Sequence, residues 1–283
     1  MRYLVTGADG FVGTHLVSQL LAKGHSVVTT SNDPQRAAKA PWFDSVTYEE
    51  FDLNRLPTTL PESFLDAERV VHLAWSGLPR YMELSHIEQD LMGSYRFLKE
   101  LAKRGVPDIT VLGTCLEYGM CNGELGEETE PCPNIPYSVA KDALRRFLQL
   151  IQREIAFRLK WVRLFYIYGP GQRENSLIGA LDAAISRGES VFEMSPGEQI
   201  RDYLHIDDAA RAIAAISEQE RVLGVINCGS GRPISVRRFV EEYLAKRNVR
   251  IALRFGVRTY PEYEPLAFWA STAKLRRAIG EEH

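Results

Sequence analysis

Three side chains have types and spacings suited to acid–base work at a carbonyl. Tyr137 and Lys141 stand four apart in PYSVAK, at the start of a segment of helical period, and so share one helix face. A phenol titrates at about 10 and exchanges protons poorly near neutrality. A neighbouring ammonium favours the phenolate and brings that value down. The Y-x-x-x-K spacing alone arises in many helices by chance, and the third residue gives it weight. Thr114 closes a strand-like run upstream, in LGTCLEYG. A hydroxyl there would donate to a carbonyl oxygen and stabilise the alkoxide that develops on reduction.

Carbonyl reduction needs a hydride source, and the first residues point to one. TGADGFVG at 6–13 follows a strand-like run and opens a helix with Val12, Leu16 and Leu20 on one face. Gly7 suits the tight turn, Gly10 the approach of a pyrophosphate to backbone N–H groups, and Gly13 close packing of the helix on the sheet. The helix N-terminus adds donors and partial positive charge for phosphates. Lys141 would then hydrogen-bond the nicotinamide ribose. At the tip of the second strand stand Ser31 and Asn32, with Arg36 shortly after, where NAD enzymes carry an acid for the ribose hydroxyls. A small hydroxyl with a nearby guanidinium suits the extra phosphate of NADP(H). Asp33 leaves NAD(H) open, because a two-residue shift in register restores the acid.

These residues need a scaffold that brings distant segments to one edge. Short apolar runs at 3–5, 26–30, 46–51, 69–74, 109–113 and 161–166 read as buried strands, bounded by Gly, Pro or Asp. Between them, Leu91, Tyr95, Leu98 and Ala102 fall on one helical stripe, as do Leu144, Phe147, Leu148, Ile151 and Ile155. Such alternation predicts an α/β fold, a doubly wound parallel sheet with helices on both faces. After Gly169-Pro170 the rhythm loosens. Helices are expected at 177–187, 207–217 and 235–246, with an irregular loop over 254–265. The expected organisation is a dinucleotide-binding core over 1–168, with parts of 200–230, and a smaller lobe formed mainly by 169–283.

Composition narrows the class. The chain has 283 residues, 34 basic against 37 acidic, with no run of five or six like charges, which argues against a nucleic-acid arm or a polybasic membrane patch. No apolar run approaches the roughly 20 residues of a membrane span. MRYLVTGADG starts directly in a strand and lacks a signal-peptide core. The four cysteines, Cys115, Cys121, Cys132 and Cys228, show no metal-ligand spacing, so no metal and a reducing compartment are expected. The expectation is a cytoplasmic enzyme.

TGADGFVG, HLA at 72–74, Thr114 with EYG at 117–119, Tyr137 with Lys141, RLFYIYGPG at 163–171 and RDYLHIDD at 201–208 together resemble the extended short-chain dehydrogenase/reductases, the NAD(P)-dependent epimerase/dehydratase enzymes of nucleotide sugars. The resemblance runs from residue 3 to about 235. It implies a Rossmann-type sheet, a C-terminal sugar-nucleotide lobe, and catalytic roles for Thr114, Tyr137 and Lys141. It implies adenine contacts from Asp52 and Leu53, a cleft lined by Leu73, Ala74 and Trp75, and further cofactor contacts from Asp9, Phe11, Val12 and Phe165. It also implies a homodimer through a four-helix seam formed by the Leu91 and Phe147 helices.

Departures from the family pattern select the reaction. The 4,6-dehydratases place Asp-Glu after the catalytic Thr, where this chain has Cys115-Leu116, so dehydration is not expected. Cys115 sits one residue short of the position used by cysteine-dependent epimerising members and reads as a small buried hydrophobe. Two outcomes remain, a 4-ketoreductase and an NAD-dependent 4-epimerase, with a non-catalytic NADP-binding sensor as the reading from another class. The strand end and the similarity of HLAWSGLPRY, TCLEYG and FWASTAKLRRAIG to CDP-abequose synthase-like enzymes imply NADPH-dependent reduction of a nucleotide-linked 4-keto-deoxyhexose, for surface polysaccharide such as O-antigen. On the substrate side, Arg201 is expected to clamp the diphosphate, with an ion pair to Asp202 as the alternative. Tyr166 stands where an asparagine is usual. Ser76 and Glu117 are placed either on sugar hydroxyls or in solvated loops. His72 reads as core, and Asp90 has no assigned role.

Overall fold

The computed structural model describes residues 1–55 and 59–281. The chain opens with β1 (Arg2–Thr6), α1 (Phe11–Ala22), β2 (Ser26–Ser31), α2 (Pro34–Ala37), β3 (Thr47–Glu50), α3 (Glu62–Leu65), β4 (Arg69–His72), α4 (Met92–Lys103) and β5 (Asp108–Thr114). It continues through β6 (Gly123–Leu125), α5 (Pro136–Ile151), β7 (Arg158–Leu164), β8 (Tyr166–Tyr168), α6 (Leu177–Ser186), β9 (Val191–Glu193) and β10 (Ile200–His205). Last come α7 (Ile206–Glu218), β11 (Gly224–Cys228), β12 (Pro233–Ser235), α8 (Val236–Lys246), β13 (Ala252–Arg254), β14 (Phe268–Ala270) and α9 (Ala273–Ile279).

Among the described residues, seven strands form one sheet in the order β11-β7-β5-β4-β1-β2-β3, every pair parallel. Side chains alternate across it, as the period of two demands. Leu4, Val70, Ile109, Val111 and Trp161 pack against Phe97, Leu98, Leu144 and Leu148 of α4 and α5. Tyr3, Val5, Val71, Leu112 and Val162 pack against Leu16 and Leu20 of α1 and Ile213 and Ile216 of α7. The sheet is therefore a Rossmann-type doubly wound layer with helices on both faces. Strand order reverses between β1 and β4, and that switch point opens the crevice in which such folds bind ligands.

The six expected strands all lie in this sheet. The seventh, β11, is not among the strands expected from the sequence; it pairs with β7 from Gly224↔Lys160 to Cys228↔Leu164. Beyond β7 the strands are short. β8, β10 and β12 make a three-stranded sheet, and β6 pairs with β14 and β9 with β13. Residues 255–266 hold no helix or strand, as expected of that loop. Among the described residues no helix is long and apolar enough to cross a membrane.

Candidate active site

The turn after β1 is shaped by glycine. Gly7 adopts φ +65°, its N–H donates to the Thr30 carbonyl at 2.9 Å, and a Cβ there would come within 2.8 Å of the Ala74 backbone. A Cβ at Gly13 would strike the Gly7 carbonyl at 2.4 Å, so Gly13 packs α1 on its own loop rather than directly on the sheet. Gly10 caps α1 with extended backbone and no side-chain cap, which leaves the first helical N–H groups facing outward.

A cleft runs along this edge. Gly7, Asp9, Gly10, Ser31, Asn32, Arg36, Asp52, Leu53, Leu73, Ala74, Trp75 and Ser76 line it, as expected of them, together with Thr30, Asn54, Asp90, Ser94 and Arg173. These residues fit a dinucleotide. A side-chain-free cradle lies at the helix N-terminus, and Asp9 keeps a buried Oδ1 with no hydrogen-bond partner. Phe11 and Val12 do not line the cleft with their side chains. Phe11 packs edge-on to His15 and Val12 joins the helix-side core, so what they offer a ligand is backbone N–H. Phe165 lies outside the cleft, buried among Tyr137, Phe268 and Cys115 because β7 carries it under the neighbouring lobe.

Arg36 departs from the sequence reading. Its Nε donates to Asp9 at 2.6 Å, so part of the guanidinium is spent on a carboxylate of the glycine turn. Asp33 caps α2, accepting from the Arg36 N–H at 2.9 Å.

Against Trp75, which lines the cleft, β5 and α5 bring the three reactive residues together, although Thr114, Tyr137 and Lys141 do not themselves line it. Thr114 ends β5 in extended conformation; its hydroxyl accepts from the Leu116 N–H at 3.3 Å and lies near enough to the Tyr137 phenol to lower its pKa. Tyr137 and Lys141 are both buried on one face of α5. Burial pushes the Tyr137 phenol well above its ordinary value, and the Thr114 hydroxyl offsets only part of that rise. The expected depression by Lys141 is absent. The Lys141 ammonium donates to the Leu112 carbonyl at 2.9 Å, lies against the Trp75 ring, and is itself drawn down to about 7 by burial.

Glu117 corrects a second expectation. It is fully buried, and its carboxylate accepts from the Thr114 N–H at 2.9 Å, from Trp161 Nε1 at 2.9 Å and from Arg163 Nε at 2.8 Å. It closes a capping box on the turn after β5 and is neither a sugar ligand nor a solvated residue. Ser76 gives its hydroxyl and its N–H to Asp90, which also receives the Gly77 N–H at 3.3 Å. The role the sequence left open for Asp90 is therefore to anchor the loop that carries Trp75.

Arg201 is 2% exposed and pairs with Glu264 at 2.9 Å, donating also to the Ile200 and Leu266 carbonyls. Asp202 is not its partner; it receives the Ser230, Gly231 and Ala270 N–H groups. The expected ion pair with Asp202 thus gives way to a pairing with Glu264 in the 255–266 loop. Tyr166 stands beside it, 5.6 Å from guanidinium carbon to ring centre, with its hydroxyl pushed well up by burial and by the Glu264 charge. Cys115 is a buried thiol pushed above its ordinary value, in keeping with a small hydrophobe.

With this geometry in place, the comparisons decide the family. The model of the NAD dependent epimerase/dehydratase family matches residues 3–229. The chain belongs to that family. Among its members it is 30% identical, over 96% of this chain and all of the relative, to the dTDP-6-deoxy-L-talose 4-dehydrogenase (NAD(+)) of Aggregatibacter actinomycetemcomitans. It is 28% identical to the UDP-glucose 4-epimerase of Halalkalibacterium halodurans, over 100% of this chain and 90% of that one. Among solved members of the family, MoeE5 in complex with UDP-glucose and NAD superposes with a TM-score of 0.85 at 27% identity, covering 99% of this chain and 92% of MoeE5.

Proposed function

We propose that the protein reduces the C4 ketone of a nucleotide-linked 4-keto-deoxyhexose at the expense of a nicotinamide dinucleotide. The observation that carries the reading is the convergence of Thr114 and Tyr137 beside a buried Lys141 that packs on Trp75 of the cleft lining. When bound, the reduced dinucleotide supplies the hydride. Tyr137 gives its proton to the C4 oxygen, and the Thr114 hydroxyl steadies that oxygen as charge develops. Lys141, with donors beyond the one spent on Leu112, orients the ribose.

Similarity to a nucleotide-sugar 4-dehydrogenase supports hydride transfer at C4, the same step read in either direction. Cys115 and Leu116 supply no acid–base pair for dehydration. The cofactor reading NADP(H) rested on Ser31 and Arg36, and the Arg36–Asp9 pairing favours NAD(H) instead. The lobe over 169–283 is assigned to the sugar nucleotide. A homodimer through α4 and α5 gains support from Val139 and Leu150, which are exposed on α5. The second reading, a 4-epimerase, is favoured by the 28% identity to a UDP-glucose 4-epimerase and uses the same three residues.

The test incubates the protein with NADH or NADPH and a panel of nucleotide 4-keto-6-deoxy sugars, and follows loss of the dihydronicotinamide absorbance. Stoichiometric oxidation supports the reductase. Interconversion of C4 epimers without net oxidation overturns it in favour of the epimerase. Tyr137→Phe is expected to cut turnover by about a hundredfold or more with dinucleotide binding intact; retained turnover removes Tyr137 as the acid.

A further inference from the structure

The ribose end of the cleft lacks the acid that a strand tip supplies to NAD enzymes, yet it is not short of negative charge. Ser31 ends β2, its hydroxyl 3.2 Å from the Tyr48 hydroxyl, and Asn32 beyond it is exposed. Facing this tip from the glycine turn is Asp9, whose side chain is 1% exposed. One of its oxygens takes the Arg36 Nε at 2.6 Å, and the other, Oδ1, is buried with no partner. A buried carboxylate oxygen left without a donor is costly, and a ligand hydroxyl there repays the cost.

We infer that Asp9 makes this cleft selective for NAD(H) over NADP(H), doing from the glycine turn what an acid on the strand tip does elsewhere. The inference rests on the reading of the cleft as a dinucleotide site. Asp9 lines the cleft together with Gly10, where a pyrophosphate meets the α1 N-terminus, and with Ser31 and Arg36, so its carboxylate charge adjoins the space between phosphates and strand tip that an adenosine ribose takes in this fold. It accepts a ribose hydroxyl there and repels a phosphate on the same carbon. The surrounding charge acts in the same sense. Asp9, Asp33 and Glu50 all bear on Tyr48 at this tip, against the single guanidinium of Arg36, which Asp9 already holds. A phosphate dianion entering here sits beside the Asp9 carboxylate, with only the Arg36 terminal nitrogens to offset that charge.

The test is equilibrium binding of NAD+ and NADP+, without any sugar nucleotide, to the full chain and to two variants. Arg36 is 48% exposed, so loss of its partner leaves no buried charge, and a thermal melt confirms folding. The unaltered protein is expected to bind NAD+ about tenfold or more tighter than NADP+. Asp9→Ala removes both acceptor and charge and is expected to shrink that ratio by about tenfold, from both sides. Asp9→Asn keeps an acceptor but not the charge; NAD+ affinity should hold within about threefold while NADP+ affinity rises. Tighter NADP+ binding by the unaltered protein, or an unchanged ratio in both variants, overturns the inference. An Asp9-dependent ratio in a protein that turns over no nucleotide sugar leaves the inference standing and removes the C4 reading. Failure to bind either dinucleotide removes both.

Discussion

The Lys141 ammonium lies 3.8 Å from the centre of the Trp75 ring, on the face of an indole whose N–H is held by His86 Nδ1 at 2.9 Å. An indole nitrogen only donates, so His86 Nδ1 accepts in that bond, while Nε2 lies 3.1 Å from the Arg80 carbonyl and Nδ1 also 3.3 Å from Asp90 Oδ2. His86 is fully buried, and the loop between it and Trp75 is tied down by Asp90. The chain thus spends a histidine and an aspartate on fixing an aromatic plane against one lysine. The groups facing that lysine are His72 on β4, Asp90 in the π-helical turn before α4, Glu117 after β5 and Tyr137 on its own helix.

Burial holds the Lys141 ammonium near 7, and the Trp75 face opposes that by favouring the charged form. If the ammonium is the active form, kcat/KM is full below this value and falls as pH rises through it. Trp75→Leu removes the aromatic face and is expected to move the fall about one pH unit lower. Trp75→Phe keeps a face and should move it less. NMR titration of 13C-lysine-labelled protein, with the Lys141 signal assigned by its loss in Lys141→Met, reads the same midpoint without any substrate. Equal midpoints in all three proteins would show that the ring is only packing.

Most of this site was legible because its residues mark element boundaries. Gly7 and Gly13 announce a turn that other side chains would block, and Thr114 and Tyr137 sit where a strand ends and a helix begins. What could not be read depends on which long-range partner a charge finds. Glu117 looks like a loop residue until β7 brings Trp161 and Arg163 to it from 44 and 46 positions away. Arg201 looks solvent-facing until the irregular 255–266 loop delivers Glu264. The Trp75–His86 pair leaves no periodic trace, because His86 enters through a π-helical turn that breaks the α-helical stripe. β11 carries a weak strand signal because Gly224 and Asn227 interrupt the apolar run of GVINC, and its place comes from pairing with β7.

Glu117 is expected to be a stability residue whose loss also disturbs the site. Glu117→Gln keeps an oxygen for the Thr114 N–H but leaves the 1% exposed Arg163 without its anion. Breaking one side of a buried pair costs about 3 kcal/mol. In a domain of this size that lowers Tm by about 5 °C or more. Because the same carboxylate holds the Thr114 backbone, kcat should fall well below the KM effect. An unchanged melt would mean that Arg163 is satisfied by its stacking on Tyr118 alone.

His72 sets an acid limit on the fold. It is fully buried on β4, with Nδ1 2.9 Å from the Thr6 hydroxyl and Nε2 3.1 Å from the Ser94 hydroxyl. Burial, aided by the Lys141 charge, draws its pKa down to about 3, against about 6.5 in the unfolded chain. Between those values the unfolded chain binds a proton that the folded chain refuses. Stability is therefore full above the unfolded value and is lost as pH falls toward the folded one, by about 1.4 kcal/mol per pH unit from this group. His72→Gln has no such proton to take up. It is expected to be less stable than the parent at neutral pH, through lost packing, yet to lose stability less steeply between pH of about 5.5 and 4.5. Urea unfolding of both proteins across that window makes the comparison, and parallel pH slopes would assign the acid sensitivity to other groups.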